Sequence, residues 1–243
     1  MKILNGSHVG IQSYSLRNLD GNESIIKALK LCGIDRLEAC DLHVKVGEFS
    51  NEDEVLRLYR ENGIEISSYG INHFPNDESK LRPFFSFAQK AGFSTLGIYP
   101  EPDAFQLIEE LCEEYSIKVA IHNHGRDHRY GRISQLKDIL GKTSDNIGVC
   151  LDTGWMLDAG ENPVEAAETF AGRLYGVHFK DFSFSADNQP IEAVLGSGEL
   201  NLDEFMSKLQ EIDFKGYCTI EYEIEENPVP GIIKCVDALR NIR

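Results

Sequence analysis

KVAIH, residues 118–122, is an apolar run of strand length that stops on a histidine, and its design returns three times in the second half of the chain. IGVCLD (147–152) stops on Asp152, LYGVH (174–178) on His178 and YCTIE (217–221) on Glu221. The positions one and three before each terminal residue are bulkier or apolar: Ile121 and Val119, Leu151 and Val149, Val177 and Tyr175, Ile220 and Cys218. The position two before is small: Ala120, Cys150, Gly176, Thr219. Strand side chains alternate with period two, so each terminal residue shares a face with its small neighbour while the apolar set takes the other face. This pattern suits a closed sheet with helices over its outer face, space beneath the four terminal residues and a metal at its mouth.

Outward from these runs the same rhythm continues. Strands are expected near 9–13, 36–39, 64–69, 95–99, 118–122, 147–152, 174–180 and 216–221, at intervals of roughly 30 residues, as a repeated βα unit requires. Between them, Ser50 with Asp53 reads as an N-terminal capping pair for a helix whose apolar face is Val55, Leu56 and Tyr59, with Gly63 past its end. Asn201 with Glu204 repeats the signal before Phe205, Leu209 and Ile212, and Phe105, Ile108, Leu111, Cys112 and Tyr115 form another stripe. A doubly wound open sheet would carry a glycine-rich turn after its first strand, whereas that strand here runs into SYSLRNLDGN. The expectation is one (β/α)8 TIM barrel over residues 1–243, its site at the C-terminal strand ends.

Composition narrows the partners. The net charge of −16 repels a phosphodiester backbone, which disfavours nucleic acid. MKILNGSHVG lacks an apolar run long enough for a signal peptide, and no later segment has the length to cross a bilayer. Six cysteines without a C-x-x-C or regular spacing read as buried reduced thiols in a cytoplasmic protein. Exposed aromatics allow a homodimer without specifying its surface.

Two histidines and two carboxylates make a mixed nitrogen and oxygen donor set that suits Mn, Co, Fe or Zn rather than a thiolate site or a calcium cage. A lone histidine at a strand end is ordinarily a hydrogen-bonded structural residue; four such endings of matching parity argue for metal binding. His122, Asp152, His178 and Glu221 are the expected ligands.

VAIHNHG (119–125), GVCLDTGW (148–155), GVHFKD (176–181), GSGELNLDEF (196–205) and GYCTIEYE (216–223) together resemble the xylose isomerase-like barrels, which include sugar-phosphate isomerases and epimerases, inosose dehydratases and endonuclease IV. In the first half only the βα rhythm and IDRLEA are similar, the latter to a second-strand segment ending in an acid, here Glu38, which joins the expected substrate-binding residues. The resemblance implies metal-ligand roles for Asp152, His178 and Glu221. At the fifth strand the family's E-N-H is His122-Asn123-His124 here, so the second carboxylate base of the two-base epimerases is missing.

What remains is a divalent metal and one carboxylate base, Glu221, acting on a carbon next to a carbonyl. The implied activity is a sugar or sugar-phosphate isomerase or epimerase; the alternative is a lyase or dehydratase on a keto sugar or keto inositol. A DNA repair enzyme lacks its full ligand set and has the wrong charge, and a non-catalytic sugar-binding barrel is the remaining class. By parity His124, Lys180 and Glu223 point to the same mouth and are candidates to finish the proton transfers or hold substrate; Lys180 reads equally as a solvated rim lysine and Glu223 as a loop charge. Trp155 either stacks on a sugar face or covers the barrel top or an oligomer contact. Arg126, with His128, Arg129 and Arg132, either binds a substrate phosphate or carboxylate or pairs with nearby acids. Gly196 and Gly198 follow the seventh strand, where barrels often hold phosphate. Tyr69, Asn72 and His73 are further polar candidates.

Overall fold

Period-two segments alternating with amphipathic ones do close into a barrel. The computed structural model describes residues 2–4, 7–47, 50–224 and 226–242. A short β1 (Lys2–Leu4) lies antiparallel to β2 (Ser7–Gln12), the first barrel strand. Then follow α1 (Gly21–Cys32), β3 (Arg36–Ala39), α2 (Glu52–Glu61), β4 (Glu65–Phe74), α3 (Glu78–Ala91), β5 (Thr95–Pro100), α4 (Phe105–Tyr115), β6 (Lys118–His122), α5 (Ile133–Leu140) and β7 (Ile147–Asp152). Two short helices, α6 (Thr153–Asp158) and α7 (Pro163–Thr169), lead to β8 (Leu174–Phe179). A hairpin of β9 (Asp181–Phe184) and β10 (Pro190–Ala193), then α8 (Leu202–Glu211), β11 (Tyr217–Ile220) and α9 (Val229–Arg240), complete the chain. Strands β2 to β8 and β11 are parallel, and β11 pairs back onto β2 to close the ring.

The alternation does what its parity dictates. Val119, Ile121, Val149, Leu151, Val177 and Ile220 are fully buried in the layer between sheet and helices. Each contributes about 1.5–3 kcal/mol of apolar burial, which fixes register, because a one-residue slip would turn this set inward. Ala120, Cys150, Gly176 and Thr219 face the barrel axis, and the space they leave is filled by larger neighbours. A Cβ on Gly176 would collide with the Tyr217 ring, and one on Gly97 would meet Glu38 and Tyr217.

The helix caps follow the local sequence signals only in part. Asn201 caps α8, accepting from the Glu204 N–H (3.3 Å) while its amide donates to Glu204 Oε2 (2.8 Å). Ser50 does not cap α2. Asn51 holds that position, and its side chain accepts instead from the Lys45 N–H (2.7 Å), leaving Glu52, Asp53 and Glu54 to face the helix dipole. The strand expected at 64–69 runs on to Phe74, and the β9–β10 hairpin was not foreseen, since its short runs match no long period. Among the described residues, no helix is long and apolar enough to cross a membrane.

Candidate active site

His122 and Asp152 end β6 and β7, His178 is the penultimate residue of β8, and Glu221 directly follows β11. One donor atom from each lies within 4.8 Å of every other, and all four residues are buried. His178 Nδ1 stands 3.1 Å from His122 Nε2, 2.9 Å from Glu221 Oε2 and 3.8 Å from Asp152 Oδ2; His122 Nε2 to Asp152 Oδ2 is 3.5 Å.

Side chains next to the ligands hold this arrangement. The Asn123 amide spans β6 and β7, donating to Asp152 O (3.0 Å) and accepting from Asp152 N (2.8 Å). Thr153 donates through Oγ1 to Lys180 O (2.6 Å) and accepts from Lys180 N (2.9 Å), tying β7 to the end of β8. Asp152 uses Oδ1 to cap α6, accepting from Trp155 N (2.8 Å), while Oδ2 is buried without a hydrogen-bond partner. Glu38 Oε2 accepts from His178 Nε2 (2.7 Å) and from Thr219 Oγ1 (2.9 Å). That bond assigns the proton to Nε2 and leaves the Nδ1 lone pair directed at the cluster, the usual carboxylate–histidine–metal arrangement.

These residues fit a divalent ion. Ligands about 2.1 Å from a tetrahedral ion stand roughly 3.4 Å apart, in the range found here. The bare Asp152 Oδ2 is a buried acceptor that such an ion would satisfy. Burial, with His178 adjacent, pushes the His122 imidazole down to about 3, so it is a neutral donor at physiological pH. Burial opposes charge on His178 too, yet Cys150, Glu38 and Glu221 beside it outweigh burial and hold it well above its ordinary value. The cluster calls for positive charge, which a cation supplies as well as a proton.

Above the cluster opens a cavity of about 320 Å³ whose lining includes His122, His124, Trp155, Glu221 and Glu223. Gln12, Tyr14, Cys40, Asp41, Gly70 and Ile71 complete it. These six come from the first half of the chain, where no sequence motif singled them out; their one shared signal is position at or just beyond the ends of β2 and β3 or within β4. A cavity of about 450 Å³ at the opposite end of the barrel, among His8, Arg36, Glu65, Lys215 and Tyr217, holds none of the four ligands.

Several expectations are corrected. Glu38 does not reach the substrate mouth: it is fully buried and bonded to His178. Arg126 turns from the cavity, its guanidinium on Asp158 (2.7 Å) and the Asn188 carbonyl (3.0 Å), because Asp158 is buried and needs a cation. Arg129 pairs with Glu101 and Arg132 bonds the Ala159 carbonyl, so the basic loop is a set of local pairs. The N–H groups of Gly196, Gly198 and Leu200 all donate to the Asp181 carboxylate at 2.9 Å, which fills the place proposed for phosphate. Tyr69 is buried against Phe84 and Phe87 and bonds Val44 O; His73 pairs with Glu101. Asn72, buried within β4, lies 3.5 Å from Tyr69 O, and none of the three lines the cavity.

Lys180 is no solvated rim residue. It is 1% exposed, with Nζ 2.6 Å from Glu223 and 3.5 Å from Glu192 of β10, over the rings of Trp155 and Phe182. Burial would strip its proton, but Glu221, Glu192, Glu223 and Asp152 outweigh burial and keep it charged. Burial would likewise raise the Glu221 carboxyl; Lys180 and His178 hold it well below the carboxylate range. His124, 3.4 Å from His122 Nδ1, is pushed by burial, then by His122 and His128, down to about 3.

A model of the xylose isomerase-like TIM barrel matches residues 102–242. An inosose dehydratase of Clostridium botulinum (strain Alaska E43 / Type E3) is 24% identical over 143 residues, 51% of this chain and 48% of that protein, so the chain spans about half the length of the curated relatives it matches. Among solved structures, a probable 3-DHS dehydratase, AsbF, of Bacillus anthracis superposes with a TM-score of 0.78 at 16% identity, covering 97% of this chain and 100% of that one. The IolI protein, solved with a zinc atom, superposes with a TM-score of 0.75 at 15% identity, covering 97% and 99%. At such identities these likenesses speak for the fold alone. Matched by the family model over more than half its length and closed into eight parallel strands, the chain belongs to the xylose isomerase-like TIM barrel family.

Proposed function

We propose that the chain is a divalent-metal-dependent enzyme that isomerises a small carbohydrate by moving a proton next to its carbonyl. One observation carries this: His122, Asp152, His178 and Glu221 converge within 4.8 Å at the floor of a cavity into which Glu221 also opens. When bound, the ion polarises the substrate carbonyl and stabilises the charge that develops as the adjacent C–H proton leaves. Glu221, kept ionised by Lys180, takes that proton. Glu223, held by Lys180 at 2.6 Å, is placed on the cavity wall to accept and return the hydroxyl proton. Trp155 offers an apolar face to the sugar. His122 Nδ1 faces neutral His124, which orients the ligand ring.

Dehydration of a keto sugar or keto inositol is the second reading. It is favoured by the two curated relatives named inosose dehydratase and by the single carboxylate at the cluster able to act as base, since His122 stands where a second would be needed for two-face epimerisation. The test is a panel of aldoses, ketoses and inososes with Mn-, Co-, Fe- or Zn-loaded protein in deuterated water. Isomer carrying deuterium at the carbon next to the carbonyl supports isomerisation; an unsaturated product without isomer supports dehydration. No product with any of the four metals, at full loading, would refute both.

A further inference from the structure

The charges around the cavity narrow the substrate class. Among the described residues the lining holds three carboxylates, Asp41, Glu221 and Glu223, and neither lysine nor arginine. Three cations near the mouth are engaged: Lys180 by Glu223 and Glu192, Arg17 by the Tyr14 carbonyl (3.0 Å) with Glu223 at 3.8 Å, Arg126 by Asp158. Backbone donors that elsewhere hold anions are also taken. Those of 196–200 go to Asp181, and at the start of α6 the Trp155 N–H goes to Asp152. With the charges of Asp152 and Glu221 balanced by a divalent ion, the surroundings still hold the carboxylates Glu38, Asp41 and Glu223 against the cations Lys180 and Arg17.

We infer that the substrate of the reaction proposed above, on which this inference rests, is an uncharged carbohydrate: a keto sugar or cyclitol bearing neither phosphate nor carboxylate. The acids that repel an anion are good acceptors for sugar hydroxyls, and Tyr14, 39% exposed, and Trp155 supply apolar faces for its C–H groups. The size agrees, about 320 Å³ lying at the lower end of ligand cavities. Every arginine of the 126–132 loop would have to abandon a partner before it could serve a phosphate.

Calorimetry on the Mn-loaded protein with matched pairs tests this: D-xylulose and D-xylulose 5-phosphate, D-fructose and D-fructose 6-phosphate, myo-inositol and its 1-phosphate, D-glucose and D-gluconate. At least one neutral member should bind, with its anionic partner tenfold or more weaker at 50 mM salt and the gap shrinking at 500 mM. Asp41→Asn should narrow the gap at low salt. An anion binding as tightly as its neutral parent, or an anion alone binding, overturns the inference while leaving the metal-dependent reaction standing. Neutral preference without any product leaves the charge rule supported and removes the reaction. Silence from all eight ligands overturns both.

Discussion

Glu38→Gln isolates the support beneath His178 of the proposed metal site. Glu38 Oε2 accepts from both His178 Nε2 and Thr219 Oγ1, while Oε1 is buried near the Tyr217 hydroxyl. A glutamine therefore keeps both accepted bonds through its one oxygen and sets its amide where Oε1 lay, facing the phenol, so the fold survives. The charge is lost. A hydrogen bond to an ionised group contributes about 1.5–3 kcal/mol and a neutral one about 0.5–1.5, a difference of about 1–1.5 kcal/mol. That difference corresponds to roughly tenfold in affinity, at the low end of the roughly 10–100-fold seen for such supporting groups. Competition against a fluorescent chelator, with Mn(II) and Zn(II) at pH 7.5, should show one site per chain with Kd raised tenfold to a hundredfold. Unchanged affinity, within twofold, would mean that Glu38 does not orient His178. A loss as complete as that of His178→Ala would make Glu38 a ligand itself; either result refutes the reasoning.

Three further outcomes are expected. Burial pushes the Glu192 carboxyl up to about 8 against the pull of Lys180, from an ordinary 4.5, so the folded chain keeps a proton that the unfolded chain releases. Stability from this group is complete below about pH 4.5 and declines toward pH 8, by at most about 1.4 kcal/mol per pH unit. Glu192→Gln should match wild type in Tm at pH 4.5 and exceed it at pH 8.5; a lower Tm at pH 8.5 contradicts the assignment. Arg126→Gln leaves buried Asp158 short of its cation, at a cost of about 1–3 kcal/mol. Each kcal/mol lowers Tm by roughly 2–4 °C at this chain length, so a drop of several degrees is expected with KM unchanged, and a fivefold rise in KM with Tm intact would return Arg126 to the substrate. Asp181→Asn cannot satisfy the Gly196, Gly198 and Leu200 N–H groups together, and should expose residues 185–200 to limited proteolysis with about 1–3 kcal/mol lost; unaltered cleavage rates would rule out that anchoring role.

The barrel and the convergence of four residues at its mouth were legible in the chain because both follow from nearest-neighbour geometry. Period two fixes which side of a strand each residue faces, so the parity shared by His122, Asp152, His178 and Glu221 with their small neighbours implies a common inward face as soon as the sheet closes. Asn201 was readable for the same reason: a cap acts within three residues. The helix preceded by Asn51 misled, since two adjacent residues both suit a cap and a loop contact to Lys45 decided between them.

Pairing across the barrel was a different matter. Glu38 meets His178 over a separation of 140 residues, Lys180 is drawn into the interior by Glu192 from a hairpin without a long period, and Arg126 is claimed by Asp158 from the next βα unit. Such choices depend on which charges a closed sheet brings within a few ångströms and how much water it removes from them. Sequence alone determined that His122, Asp152, His178 and Glu221 would share one face. Only the tertiary structure decided that the cations around them would already be taken, because the burial of a charge, and hence its need for a partner, exists only once the barrel has closed.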